Sequence, residues 1–138
     1  MKYRILIAIV GVLGLAACQS ATPQLAGTSW QLVSFGDVNN PVPALPDGAP
    51  TLEFLTDEKI NANTGCNGAG GEYEVDGNNL KISNLIQTLI ACTETDRANQ
   101  EAAFVEGLNK AETFSLNGNQ LIIYYENGTK ALTFSGSQ

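Results

Sequence analysis

The chain of 138 residues contains no histidine, one methionine, one tryptophan, and only seven Lys and Arg against fourteen Asp and Glu, for a formal net charge of −7. Each shortage excludes something. Without histidine there is no imidazole general base and no imidazole metal ligand. So few basic residues make the chain a poor nucleic-acid ligand, because Lys and Arg are what neutralise phosphates. The longest apolar run, Ile5 to Leu15, is too short for a membrane span, which needs roughly 20 residues. There is no G-x-S-x-G, no P-loop, no dinucleotide fingerprint and no internal repeat. The length suits one domain. A hydrophobic content of 43% is that of a globular chain rather than a disordered one.

What is present begins with an address. Lys2 and Arg4 precede the apolar run, and the small residues Ala16 and Ala17 follow it. This order of charged, apolar and small segments describes a secretory signal peptide over residues 1–17. Leu15-Ala16-Ala17-Cys18 resembles the lipobox of bacterial lipoproteins, in which the leader is cut before the cysteine and the new terminal Cys18 carries lipid on its sulfur and its amine. Two or more acyl chains hold a protein stably on a membrane. Gln19 stands where an Asp would favour the inner membrane in the Gram-negative sorting pattern. The expected position is therefore the outer membrane of the cell envelope, facing the periplasm. Residues 18–24 form a polar tether that reaches roughly 20 Å. The folded domain is expected over residues 25–138. Losing Lys2 and Arg4 leaves that part with five basic and fourteen acidic residues, a charge that repels anionic lipid.

The cysteines then fall into place. With Cys18 lipidated, Cys66 and Cys92 remain as an even pair, 26 positions apart. In an oxidising periplasm a disulfide is their default state. A redox or nucleophilic role has no support: there is no C-x-x-C spacing, no histidine, and few nearby cations to lower a thiol pKa.

Alternating apolar residues and dense turn signals predict about eight short, mostly hairpin-linked strands. Trp30 and Leu32 share one face of a strand over 28–34, and the alternation resumes at 51–54, 59–64 and 72–76. The Asp76–Asn79 stretch is a hairpin turn signal. Further strands follow at Leu80 and Ile82, 113–116, 120–125 and 130–134. One helix is expected between Asp96 and Lys110, with a stripe of Ala98, Ala102, Val105 and Leu108, and Phe104 alongside. Glu94 and Asp96 at its start and Lys110 at its end suit the helix dipole. Gly36 to Pro50 holds four of the five prolines and reads as an irregular surface loop. Gly65 to Gly71 reads as a Gly-rich linker. Leu121 to Tyr125 is apolar on both strand faces, as in a central strand covered by the helix on one side and by the curled sheet on the other.

Three local patterns occur in order: Leu25-Ala26-Gly27-Thr28-Ser29-Trp30-Gln31-Leu32, then Gly65-Cys66-Asn67, then Thr88-Leu89-Ile90-Ala91-Cys92 before the helix. Together they resemble the META domain, the HslJ-like family of heat-inducible envelope lipoproteins, over Leu25 to Phe134. The motif residues are Trp30, Gly65, Asn67, Thr88 and Ala91. Ile90 stands where the family often has Met. Gly68-Ala69-Gly70-Gly71 stands where many members carry a bulkier residue, so the shape of that loop does not follow from the resemblance. The resemblance implies an α+β fold, mostly β: a small, strongly curled, partly barrel-like antiparallel sheet with one packed helix. It also implies a part in heat stress and antibiotic tolerance at the envelope, and no reaction.

The residues' own chemistry points the same way. Trp30 on an alternating strand is expected in the core, and Asn67 is expected to order its loop. Glu72, Glu74, Asp76 and Gly77 match the opening of a calcium loop, but its twelfth position would be Ser83 instead of Glu, and a solvated strand face is expected. No cofactor, metal site or catalytic residue is assigned. The expected role is binding or support by a monomer, with a lipid anchor to the membrane, a protein or small-ligand partner and no nucleic acid. The contact surface is expected on the loop Gly36 to Pro50. The alternatives are an inhibitor of envelope enzymes and an Asp/Glu-dependent hydrolase, which would need a convergent carboxylate pair of raised pKa.

Overall fold

Nine strands and one helix account for the fold, in a computed structural model that describes residues 24–136. The expected leader (1–17), the expected lipidation site Cys18 and the expected tether up to residue 23 lie outside the described residues. The strands are β1 (Thr28–Asp37), β2 (Val42–Pro43), β3 (Thr51–Phe54), β4 (Lys59–Asn63), β5 (Gly68–Asp76), β6 (Asn79–Gln87), β7 (Thr113–Asn117), β8 (Gln120–Tyr125) and β9 (Lys130–Gly136), with α1 (Thr95–Asn109) between β6 and β7. Sequence neighbours pair antiparallel from β3 to β9, and β1 pairs with both β3 and β9. The sheet thus closes into an eight-stranded barrel, with β2 as a short addition on β1. The ring is thinnest between β6 and β7, which share the single pair Asn79↔Thr113.

Alternation decides what lies inside. Trp30, Leu32, Leu52, Phe54, Ile60, Leu80 and Ile82 point inward, as do Leu121, Ile123, Tyr125 and Phe134 from the far side. They fill the barrel with side chains, and each large one contributes roughly 1.5–3 kcal/mol by leaving water. Trp30 is 4% exposed, and its indole N–H donates to the Thr28 hydroxyl at 2.7 Å. The Phe54 and Tyr73 rings meet edge-on at 5.0 Å, a favourable aromatic geometry.

The structure corrects several boundaries. Gly36 to Pro50 is not wholly irregular: β1 runs on to Asp37, and Val42–Pro43 pairs with Phe35 and Ser34. Gly68 to Gly71 is strand, the first half of β5. The glycine at 71 has a steric reason. β6 carries one extra residue opposite it, since Glu72 faces Ser83 while Gly70 faces Ile86. A Cβ at Gly71 would lie 2.9 Å from the Ser83 carbonyl oxygen. This bulge reverses the alternation of β6, so Ile82 points in while Ile86 points out.

The helix buries Phe104 and Leu108 as expected, but its buried face is rotated away from Ala98 and Ala102. Its buried residues are Gln100, Phe104, Gly107 and Leu108, whereas Ala102 is exposed and Ala98 and Val105 are half-buried. Phe104 and Leu108 carry the larger apolar area, and Phe104 reaches the Phe134 ring at 6.2 Å. Asp96 lies in the first turn as expected, but Lys110 falls just past the last turn, at the C-cap. Nor does the helix cover the outer face of β8. Ile122 and Tyr124 are half-buried there, in a shallow recess shared with Gly36, Val38 and Pro41. Among the described residues no helix is long and apolar enough to cross a membrane.

Up-and-down strands sort the connections into two poles. The start of the domain at Leu25 to Gly27, the β3–β4 turn, the Gly77-Asn78 turn and the Gly118-Asn119 turn share one. The loops 38–50, 64–67 and 88–94 and the β8–β9 turn share the other.

Candidate functional site

The motif residues meet at this second pole. After β4 the chain turns sharply at Gly65, whose φ of +111° is one an L side chain rarely adopts. Asn63 helps to hold the turn by accepting from the Gly65 amide through its Oδ1 at 2.9 Å. The turn delivers Asn67, a buried residue. All four hydrogen-bonding positions of its amide are used. Oδ1 accepts from the Ile90 amide at 2.6 Å and the Thr88 hydroxyl at 3.0 Å. Nδ2 donates to the Ile90 carbonyl at 3.0 Å and to Glu101 Oε1 at 2.8 Å. Asn67 thus stands in for a strand partner to the 88–92 segment, and it orders the neighbouring loop rather than its own.

Glu101 completes the cluster from α1. Its Oε2 accepts from the Thr64 hydroxyl at 2.5 Å and from the Cys66 and Asn67 amides, each at 3.1 Å. Burial alone would raise its pKa. The bonds from Thr64, Asn67 and the two amides outweigh burial and hold the carboxyl below its ordinary range. Glu101 is therefore a fixed anionic acceptor. Cys66 and Cys92 form the expected disulfide, with Cα atoms 5.8 Å apart. Thr88 joins the loops further, its amide donating to the Gly68 carbonyl at 3.0 Å and its hydroxyl accepting from the Gly68 amide at 3.1 Å. Gly65, Cys66, Asn67, Thr88 and Cys92 are thus brought together. Ala91 is exposed beside them and makes no side-chain bond. Trp30 belongs to the core.

Sequence reasoning missed Glu101 and its neighbour Gln100. Gln100 is 1% exposed. Its Oε1 accepts from the Leu45 amide at 2.7 Å, while its buried Nε2 has no partner among the described residues. One turn of helix therefore holds the proline-rich loop through Gln100 and the cystine loop through Glu101. The sulfurs of Cys66 and Cys92 lie within 4.8 Å of a Glu101 oxygen, but they are bonded to each other. Glu72, Glu74 and Asp76 are exposed along the outer face of β5, as a solvated strand face requires. Away from the cluster, hydrogen bonds from Lys110 and Lys130 also hold Glu126 below the ordinary carboxylate range.

The cluster displays apolar side chains. Ile86 is 77% exposed, Leu89 92% and Ile90 67%. Beside them an open groove of about 670 Å³ runs along the outer face of β3 to β6. Gly68, Ala69 and Gly70 form its floor, and Glu53, Asn61, Asn63, Ile86 and Thr88 form its sides.

The fold is shared with solved structures. A protein from Burkholderia xenovorans, solved by NMR, has a TM-score of 0.73 at 22% identity, covering 100% of this chain and 99% of its own. A DUF4847-family protein from Bacteroides vulgatus has a TM-score of 0.57 at 19% identity, covering 80% and 93%. A further NMR structure has a TM-score of 0.62 at 22% identity, covering 80% and 90%. No curated protein matches the chain. The sequence pattern of the META domain matches residues 23–138, which take in the closed barrel, its helix and the disulfide-linked loops, and the chain belongs to the META domain family.

Proposed function

We propose that the protein is a lipid-anchored component of the bacterial envelope that acts by binding rather than by catalysis, supporting the envelope under heat stress and antibiotic exposure in the manner of HslJ-like proteins. The observation that supports this most directly is the polarity of the barrel. The domain begins at one pole, and the motif loops lie at the other with three apolar side chains held out in water. An anchor at Cys18, a few residues before Leu25, would keep the first pole near the outer membrane and turn the second toward the periplasm. Function tends to sit on loops held by a rigid scaffold, and these loops are held by a disulfide, a buried amide and a carboxylate.

Intact-mass analysis of protein from its native membrane tests the anchor. The expected species starts at residue 18 and carries acyl adducts, and a Cys18→Ser variant leaves the membrane fraction. An unacylated chain retaining residues 1–17 overturns the reading. The stress role is tested by deletion of the gene, which should lower survival on heating and be complemented by the wild type but not by Cys18→Ser.

A further inference from the structure

We propose that the ridge formed by Ile86, Leu89 and Ile90, with the glycine-floored groove beside it, is a docking site for a basic, apolar segment of a partner protein. This names the partner class for the binding role above and rests on that reading. Three observations converge. The ridge residues are among the most exposed large apolar side chains in the described structure, and such patches mark interaction sites. They are also rigid: the Ile90 amide and carbonyl are both fixed by Asn67, Thr88 is paired with Gly68, and Cys92 is bridged to Cys66. A surface already ordered before contact loses less entropy on binding.

The third observation is charge. Glu53 is the one ionisable residue lining the groove. Glu74 and Glu94 are paired with Lys81 and Arg97, but the domain as a whole carries five basic against fourteen acidic residues, so the field around Glu53 is negative. An apolar ridge in an acidic setting complements a segment that presents Leu- or Ile-like side chains between Lys or Arg. It repels anionic lipid, and it repels a second copy of a chain with this charge. The bare Gly68 and Gly70 floor admits a peptide backbone, and Asn61 and Asn63 supply amides to bond it.

The test uses the purified, exported full chain and a fluorescently labelled peptide of alternating leucine and lysine, with anisotropy as the readout. The peptide should bind, weaken as salt rises, and lose about tenfold or more in affinity with Leu89→Asp or with the milder Leu89→Ser, as for an interface hot spot. Glu53→Gln should weaken it by about threefold and flatten its salt dependence. Val33→Asp, an exposed apolar position on β1, should leave it unchanged. Circular dichroism checks that each variant is folded. The proposal is overturned if the leucine–lysine peptide does not bind, if a leucine–glutamate peptide binds as well, or if folded Leu89→Ser binds like the wild type. It is also overturned if the ridge binds phosphatidylcholine vesicles instead, or if it only pairs two copies of the chain. None of these outcomes alters the Cys18 mass measurement, so the anchor reading stands or falls separately.

Discussion

Two loop systems share the far pole and are held in different ways. The 64–67 and 88–92 loops are fastened by side chains: a fully bonded buried amide, a carboxylate with four hydrogen bonds, and a cystine. The proline-rich loop is fastened by its backbone. Val38 donates to the Thr129 carbonyl and Ala44 to the Val33 carbonyl, and only the Leu45 amide reaches a buried side chain. Neither stretch has an apolar core of its own. The first replaces one with polar groups satisfied by one another. The second relies on prolines, which restrict the unfolded chain before folding begins. A network of the first kind fails abruptly when one member is lost, and a backbone-held loop gives way gradually.

The largest test of that contrast is the cystine. Replacing Cys66 and Cys92 with Ser should cost about 3.5 kcal/mol on the chain-entropy estimate for a loop of this size, read from urea unfolding. Asn67→Ala should cost about 2–3 kcal/mol, because it leaves the Ile90 amide and carbonyl, the Thr88 hydroxyl and Glu101 Oε1 without their Asn67 partner. Added to the cysteine changes, it should cost less than the sum, since both act on one cluster. Acid should distinguish the two loop systems next. The Glu101 carboxyl is held below its ordinary pKa of 4.5, so its contribution is complete above that value and is lost as pH falls through the lower, folded value. Stability measured against pH should therefore drop on the acid side, and Glu101→Gln, less stable at neutrality, should show a shallower drop. The smallest effect belongs to the proline-rich loop. Gln100→Met should cost about 1 kcal/mol for the lost bond to Leu45, and should speed hydrogen exchange at Leu45 while leaving Asn67 protected. Equal acceleration at both loops would erase the distinction.

The barrel was largely legible in the chain because alternation is a local signal. Trp30 with Leu32, Leu52 with Phe54, and the Asp76–Asn79 turn each announce themselves within a few residues. The cysteine pair was legible for a different reason, that setting Cys18 aside as the expected lipidation site leaves an even number. Glu101 was not legible. It lies 34 positions from Asn67, on a helix that presents several acidic residues, and nothing local separates it from Glu106. The buried face of α1 was read only in part: Phe104 and Leu108 are buried as expected, but Gln100 and Gly107, the other two, carry no apolar signal. The outward turn of Ile86 depends on an extra residue opposite Gly71, a register fact that appears only when two strands are laid side by side. The apolar ridge emerges from that same register.

The pairing of β1 with β9 joins the first strand of the domain to its last. Such contacts between distant parts of a chain slow folding, and here they set an order of events. A polypeptide made from its amino end holds Thr28–Asp37 with one flank unmatched until Lys130–Gly136 has followed. A chain cut short before Lys130 leaves that flank bare, an open template for another strand. Only a finished chain hides its own beginning.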